Sequence, residues 1–162
     1  MKLLVLFILF LGSAHSHGSH EDCLQKINGL RANFSRRFQI ANMNELEYDE
    51  KIETAIREEI AKLDDCSGHS SGGHDNIMTF VNFPREEEVM ELASAPGTTK
   101  VACMKNECNG KEIFSFGVDW SGVPEIRGPA GTKCPSDRVA TPQGLCARPK
   151  ENRKSEKFWK YE

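Results

Sequence analysis

The sequence lacks the short motifs that mark several classes of enzyme and nucleotide-binding protein. It contains no HExxH segment and no phosphate-cradling glycine loop, so none of the catalytic or phosphate sites built on those motifs is indicated. It also lacks an excess of basic residues, because 21 Lys+Arg stand against 24 Asp+Glu and the formal net charge is −3. A chain without a basic field is poorly suited to hold nucleic acid. We therefore expect no nucleic-acid partner.

Long apolar runs are also scarce, and the only one, residues 3–11, is too short to span a membrane. Lys2 precedes this run, and small residues that suit signal peptidase follow it at positions 12, 13, 14 and 16. We interpret residues 1–16 as a signal peptide that is cleaved after Ala14 or Ser16. The protein is then secreted and extracellular, without integral membrane association, and 162 residues suit one domain.

The sequence has no CxxC pair, which argues against a zinc knuckle and a thioredoxin-type redox site. Its cysteines are even in number, and in an oxidising compartment this favours disulfide bonds. All six would be bonded: Cys23, Cys66, Cys103, Cys108, Cys134 and Cys146. The count alone leaves the pairing open.

Helical periodicity is clearest between residues 23 and 40. Apolar side chains there recur at steps of three and four and form one stripe, made of Leu24, Ile27, Leu30, Phe34 and Phe38. Arg31 falls near the centre of this stripe, so we expect it to be partly buried and hydrogen-bonded.

A second amphipathic helix is predicted for residues 50–65, with Asp49 as its N-cap. If the short linker 41–48 makes the two helices antiparallel, Cys23 and Cys66 lie at adjacent ends. This arrangement predicts a Cys23–Cys66 disulfide. Of the 15 possible pairings of six cysteines, the one expected here also joins Cys103 to Cys108 and Cys134 to Cys146.

The remainder of the sequence alternates between segments rich in turn-forming residues and segments typical of strands. Residues 66–76 are rich in Gly, Ser and His and predict a loop. Strands are predicted for residues 77–83, 99–104 and 113–120, a short helix for 85–94, an irregular stapled segment for 122–149, and a basic flexible tail for 149–162.

Several segments in order resemble one family. INGLR, ELEYDEKIETAIREEIAKLDDC, CSGHSSGGHDNI, TKVACMKNEC, GTKC and GLC are similar to the successive motifs of CAP proteins, the superfamily of cysteine-rich secretory, antigen 5 and pathogenesis-related proteins. The resemblance covers residues 23–148 and includes the helminth venom allergen-like proteins. It implies an α+β fold, a shortened α-β-α sandwich with a small antiparallel sheet and a disulfide-stapled C-terminal segment.

Family members line a cleft with two histidines and two acids that can hold a divalent metal. The resemblance carries two of these ligands to His69 and Asp75, and Val89 stands where the second histidine is expected. Gly117 takes the place of a family cysteine in a strand. The implied metal site is therefore incomplete, and no cofactor is expected.

We interpret the chain as a secreted, non-enzymatic binding module for an unknown lipid, sterol or protein ligand, in defence, reproduction or host interaction. Phe80, Phe83 and Trp120 are candidate walls of an apolar groove, or else core residues. One alternative is a secreted protein that binds zinc or copper through its loop histidines and through His15, His17 and His20 near the new N-terminus. A secreted hydrolase is the other, and catalytic residues are not identified.

One modification is also predicted. Asn33-Phe34-Ser35 is an N-glycosylation sequon, and Asn33 projects to the side of the predicted stripe, where a glycan would fit. The oligomeric state is open.

Overall fold

The computed structural model describes residues 16–63, 65–66, 68–83 and 94–149. Nearly all of the predicted signal peptide, the predicted helix at 85–94 except its last residue, and the tail from residue 150 lie outside the described residues, and they stay predictions. No helix in the described part of the chain has the length and apolar character needed to cross a bilayer.

The described residues form two helices, a five-stranded sheet and a small two-stranded sheet. In chain order the elements are α1 (Ser16–Phe38), β1 (Glu47–Tyr48), α2 (Glu50–Ile60), β2 (Ser70–His74), β3 (Ile77–Phe83), β4 (Lys100–Cys108), β5 (Lys111–Asp119), β6 (Val139–Ala140) and β7 (Cys146–Ala147). The first two predicted helices are present, although α1 begins earlier and α2 ends earlier than expected. Asp49 caps α2 as predicted, because its carboxylate accepts from the backbone N–H of Lys51 at 2.8 Å.

The larger sheet has the order β1-β4-β5-β3-β2, with β1 parallel to β4 and the other neighbours antiparallel. The loop predicted for residues 66–76 is wrong in part, because β2 pairs with β3 from Ser70↔Val81 to His74↔Ile77. The turn between them works because Asp75 and Asn76 take left-handed backbone angles, with φ of 48° and 67°. Aspartate and asparagine tolerate this conformation better than other non-glycine residues.

The two helices pack on opposite faces of the larger sheet. Ile27 of α1 packs with Val101 and Phe116, whereas Ile52 of α2 packs with Ala102 and Val81. Because successive side chains of a strand point to opposite faces, Val101 and Ala102 meet different helices. This arrangement is the α-β-α sandwich that the resemblance implied.

The helix placement overturns two of the expected disulfides. Cys23 bonds to Cys103 and Cys66 bonds to Cys108, with Cα–Cα distances of 6.3 and 5.6 Å. The expectation of Cys23–Cys66 was wrong because α1 and α2 are separated by the sheet. Cys103–Cys108 was wrong because five steps along a strand place the two side chains on opposite faces, about 17 Å apart at roughly 3.3 Å per residue. The third bond joins Cys134 and Cys146, the pair that was expected.

The predicted apolar stripe of α1 is correct only in its first half. Arg31 and Ser35 are buried in the second half, at 2 % and 0 % exposure, whereas Leu30, Phe34 and Phe38 are exposed. The guanidinium of Arg31 donates to the carbonyl oxygens of Asn44, Ala95 and Thr98 at 2.8 to 3.2 Å. Loop carbonyls at this helix therefore require a donor, and Arg31 supplies it.

Burial lowers the pKa of Arg31 to about 9, an effect that the charge of Asp119 opposes and that of Arg138 reinforces. At neutral pH the guanidinium is therefore still charged. The expectation that Arg31 is buried and hydrogen-bonded is confirmed.

The segment from residue 122 to 149 is largely irregular, as expected, and it docks on the buried linker between the helices. The backbone N–H groups of Ala41 and Cys146 donate to Ile126 and Met43 at 2.7 and 2.8 Å. Arg138 adds side-chain hydrogen bonds to the carbonyl oxygens of Glu45 and Cys146. The linker is thus held from both sides.

Gly117 of β5 allows α2 to approach the sheet closely. A Cβ atom at this position would lie 2.6 Å from Cγ2 of Ile52 and 3.3 Å from Cγ1 of Ile56. A larger side chain therefore cannot enter without moving the helix.

The observed disulfides predict the behaviour of two double variants. Replacement of Cys66 and Cys108 by Ala removes one bond across 42 residues and should lower the free energy of unfolding by about 4 kcal/mol, with no free thiol. Replacement of Cys23 and Cys66 by Ala should instead leave two thiols, at Cys103 and Cys108, that titrate in denaturant. If that second variant contained no free thiol, the pairing would be refuted.

Two glycine substitutions should have opposite effects on stability in urea. Gly117→Ala should lower the free energy of unfolding by about 1 to 3 kcal/mol because of the contact with Ile52. Gly29→Ala is the matched control, because a Cβ atom there would have no neighbour within 4 Å and the residue is in a helix, and it should gain roughly 0.5 to 1 kcal/mol. Equal effects at the two sites would contradict the close approach of α2.

Candidate functional site: a polar cleft at the edge of β4

A cleft of about 440 Å³ lies between the N-terminal half of α1, the outer side of α2 and the edge of β4. Its wall on the α1 side includes the Cys23–Cys103 disulfide, so the position of α1 against β4 is covalently fixed. Most of the residues that line it have ionisable or polar side chains, and the rest form an apolar part. The lining consists of His20, Asp22, Cys23, Lys26, Glu53, Arg57, Cys103, Met104, Lys105, Asn106 and Phe114.

One end of the cleft is built by four side chains from three elements. The imidazole of His20 stacks on the ring of Tyr48, with centroids 4.0 Å apart and planes inclined by 16°. Its Nε2 lies 3.3 Å from Oε2 of Glu53. Tyr48 donates its hydroxyl to the same oxygen at 2.7 Å, and Arg57 donates to the other oxygen, Oε1. The carboxylate of Glu53 thus joins α1, β1 and α2.

The electrostatics of this cluster keep Glu53 ionised. Burial raises the pKa of Glu53, but hydrogen bonds from Tyr48 and Arg57 outweigh it, so that the pKa lies below its ordinary value. The pKa of Tyr48 is raised, first by burial and then by its hydrogen bond to Glu53. A carboxylate whose two oxygens already accept hydrogen bonds is a poor general base. The cluster is therefore suited to holding the cleft in shape.

The edge of β4 itself lies inside the cleft. β1 pairs with β4 only at Lys100 and Val101, and no other strand in the described ranges pairs with β4 on that side. The carbonyl oxygens of Thr99 and Val101 accept from the N–H groups of Glu47 and Asp49 on this side. Backbone groups alternate along a strand, so those of Cys103 point to the same side, toward the cleft.

The two family metal ligands do not meet. His69 and Asp75 flank β2 at its two ends, six residues apart, which corresponds to roughly 20 Å along a strand. His69 packs near Phe83, with ring centroids 5.4 Å apart, and Asp75 contacts His74 at 3.0 Å at the exposed tip of the hairpin. Within residues 16–63, 65–66, 68–83 and 94–149, no three His, Cys, Asp or Glu side chains are grouped so that they could hold a metal ion.

The three aromatic residues considered as groove walls do not form a common surface. Phe80 and Phe83 are half-buried and pack against the core under α1. They reach the same face because the register shifts between them, where Asn82 has a φ of 59°. Trp120 is 57 % exposed. For Phe80 and Phe83, the interpretation as core residues is the correct one.

The sequence alone did not identify Glu53 and Arg57 as site residues. Their separation of four residues on a helix is a detectable ion-pair signal, but such pairs are common on exposed helices. His20 was considered only as a metal ligand near the mature N-terminus. Its contacts depend on where α1 crosses β1, and the sequence does not encode that position locally.

Replacement of Tyr48 by Phe should lower the free energy of unfolding by about 1 kcal/mol at pH 7, because the ring over His20 remains while the hydroxyl bound to Glu53 is lost. The folded-state pKa of Glu53 is lowered, so its contribution is complete above the unfolded pKa of about 4.3 and is lost as the pH falls through the folded pKa. Urea denaturation at pH 7 and pH 3 should show the difference from the wild type shrinking at the lower pH.

The control for this variant is Thr54→Val. The hydroxyl of Thr54 donates to the backbone carbonyl of Glu50, an acceptor without charge, so the loss should not depend on pH in the same range. A pH-independent effect of Tyr48→Phe would contradict the role assigned to Glu53.

Comparison with known proteins finds structures with a similar fold but no protein with a similar sequence. No protein-family model matches the chain, and no curated protein is similar to it in sequence. Among solved structures, a hookworm platelet inhibitor is similar, with a TM-score of 0.60 at 16 % identity over 81 % of this chain and 91 % of that chain. BmVAL-1 is also similar, with a TM-score of 0.53 at 10 % identity over 86 % of this chain and 98 % of that chain.

At these identities the likeness concerns the fold. The two structures are venom allergen-like proteins of the CAP type. The chain therefore has a CAP-like fold in a divergent form.

Proposed function

We propose that the chain is a secreted, non-enzymatic binding module that recognises an extended segment of another protein in the cleft beside β4. The observation that carries this proposal is that the lining of the cleft comes from both faces of the sheet. Cys103 and Phe114 face α1, whereas Met104 faces α2, so the sheet edge forms the floor between them. An extended peptide can add to such an edge through backbone hydrogen bonds.

The chemistry of the walls favours a peptide over a sterol or lipid. Charged side chains from α1 and α2 flank the floor, with Asp22 and Lys26 on one side and Glu53 and Arg57 on the other. Sites for small apolar ligands are mostly apolar and enclose most of the ligand surface. Mixed charges at the rim of an apolar floor are typical of protein recognition.

The arrangement of Glu53 supports a role in binding rather than catalysis. Its oxygens are occupied by Tyr48, Arg57 and His20, which is the arrangement of a preorganised wall. One protein of similar fold supports the proposal of a protein target, because its name describes a hookworm protein that inhibits platelets. A secreted protein of this fold that acts on a host or neighbouring cell would need a surface of this kind.

A displayed library of random peptides, selected on the secreted and disulfide-bonded protein, tests the proposal. Selected peptides should bind with micromolar affinity by fluorescence anisotropy. Arg57→Gln, in the cleft wall, should weaken them about tenfold, or roughly 1.4 kcal/mol. Lys51→Gln is the matched control because it is an exposed base on the same helix outside the cleft, and it should leave binding unchanged.

A second experiment distinguishes peptide binding from the alternative of lipid binding. Phosphatidylcholine vesicles with and without cholesterol are incubated with the same protein and sedimented. Retention on the vesicles, together with failure to select any peptide whose binding depends on Arg57, would favour a lipid-binding function and overturn the proposal. Peptides that bind both variants equally would show that the cleft is not the site.

A further inference from the structure

Helix α1 exposes a row of large apolar side chains in its second half, beyond the part that packs on the sheet through Ile27. Leu30, Phe34 and Phe38 are 48, 36 and 40 % exposed and are spaced by four residues, so they lie one above another. The rings of Phe34 and Phe38 are 4.4 Å apart, and the guanidinium of Arg37 lies 5.3 Å from the centre of the Phe38 ring. A contiguous exposed patch of this kind on a secreted domain calls for a covering group.

The row lines a shallow groove of about 210 Å³, and Asn33 lies in the same groove. Asn33 is the acceptor residue of the sequon Asn33-Phe34-Ser35. Its side chain is exposed, and its Oδ1 accepts a hydrogen bond from Arg36, which orients the amide. A sugar on Nδ2 would therefore begin inside the groove without disturbing the core.

The serine of the sequon has a structural role of its own. Ser35 is fully buried and donates its hydroxyl to the carbonyl oxygen of Ile40 at 2.7 Å. This bond holds the chain where it leaves α1, and it accounts for a hydroxyl residue at position 35. It does not account for an asparagine beside Leu30 and Phe34, and this juxtaposition points to the modification.

We propose that an N-linked glycan on Asn33 lies along the row formed by Leu30, Phe34 and Phe38 and covers it. The C–H groups on one face of a pyranose are weakly positive and pack on the negative face of an aromatic ring. The covalent link supplies a high effective concentration, so each sugar contact can be weak and still be populated. The inference depends on the secretion that forms part of the proposed function, because this modification is made on secreted chains.

The experiment uses the full chain secreted from a glycosylating eukaryotic cell. Three forms are compared: the intact glycoprotein, the protein trimmed to a single N-acetylglucosamine, and Asn33→Gln from the same cells. Fluorescence of an apolar-surface dye such as bis-ANS should be lowest in the intact form, rise on trimming, and be several-fold higher in Asn33→Gln. Nuclear Overhauser contacts should connect sugar protons with the ring protons of Phe34.

A matched variant distinguishes a glycan that covers the apolar row from one that is only attached to Asn33. Phe34→Ser keeps the sequon, so the intact mass should still carry the glycan, but the contacts to the ring are lost and the response of the dye to trimming should largely disappear. A glycosylated wild type that binds the dye as strongly as Asn33→Gln, with no sugar-to-ring contacts, would overturn the proposal. So would a glycosylated chain in which residues 84–93 or a second copy contacts the row instead.

Failure of the modification and failure of secretion give different results. A chain in the medium that is fully disulfide-bonded but has the unmodified mass refutes the glycan and leaves secretion intact. A chain that is retained in the cell with free thiols refutes secretion and, with it, the proposed function.

Discussion

The alternation of side chains along β4 is the constraint on which the rest of the structure depends. Cys103 faces α1 and bonds to Cys23, whereas Cys108 faces the opposite side and bonds to Cys66, which follows α2. One central strand therefore anchors both helical layers covalently. Because β1 pairs with β4 only at Lys100 and Val101, the rest of this edge has no partner strand in the described part of the chain, and the cleft lies there.

The linker between the helices solves the second problem of this fold, which is to pass from one face of the sheet to the other through the protein interior. Buried backbone groups need partners, and residues 40–44 are at most 5 % exposed. Arg31 satisfies the carbonyl oxygen of Asn44, and the C-terminal segment satisfies Ala41 and Met43. Here α1 is held by hydrogen bonds from a buried charged side chain and from the backbone, and not by apolar contacts. The buried face of α1 was therefore predicted incorrectly from its apolar residues.

Local signals in the sequence predicted local structure well. Asp49 capped a helix and residues 77–83 formed a strand because both features depend on neighbours in the chain. The disulfide partners of Cys23 and Cys66 depend on which face each helix covers, and no local pattern carries that information. Cys103 and Cys108 are an odd number of residues apart, so their side chains lie on opposite faces of a strand that contains both, and they cannot bond. The sequence did not show that β4 extends to Cys108, because the charged segment from Lys105 to Glu107 resembles a loop. The cleft was not predictable because His20, Tyr48 and Glu53 meet only after the layers assemble.

The C-terminal segment is attached to the linker largely through main-chain hydrogen bonds and closed by the short Cys134–Cys146 loop. Main-chain bonds are indifferent to side-chain identity, and Val123, Ile126 and Val139 project outward at 44 to 52 % exposure. This face can accordingly accept many different amino acids at those positions while its path stays the same. Sequence variation at these three positions should therefore cost little stability, because the hydrogen bonds that hold the segment do not involve their side chains.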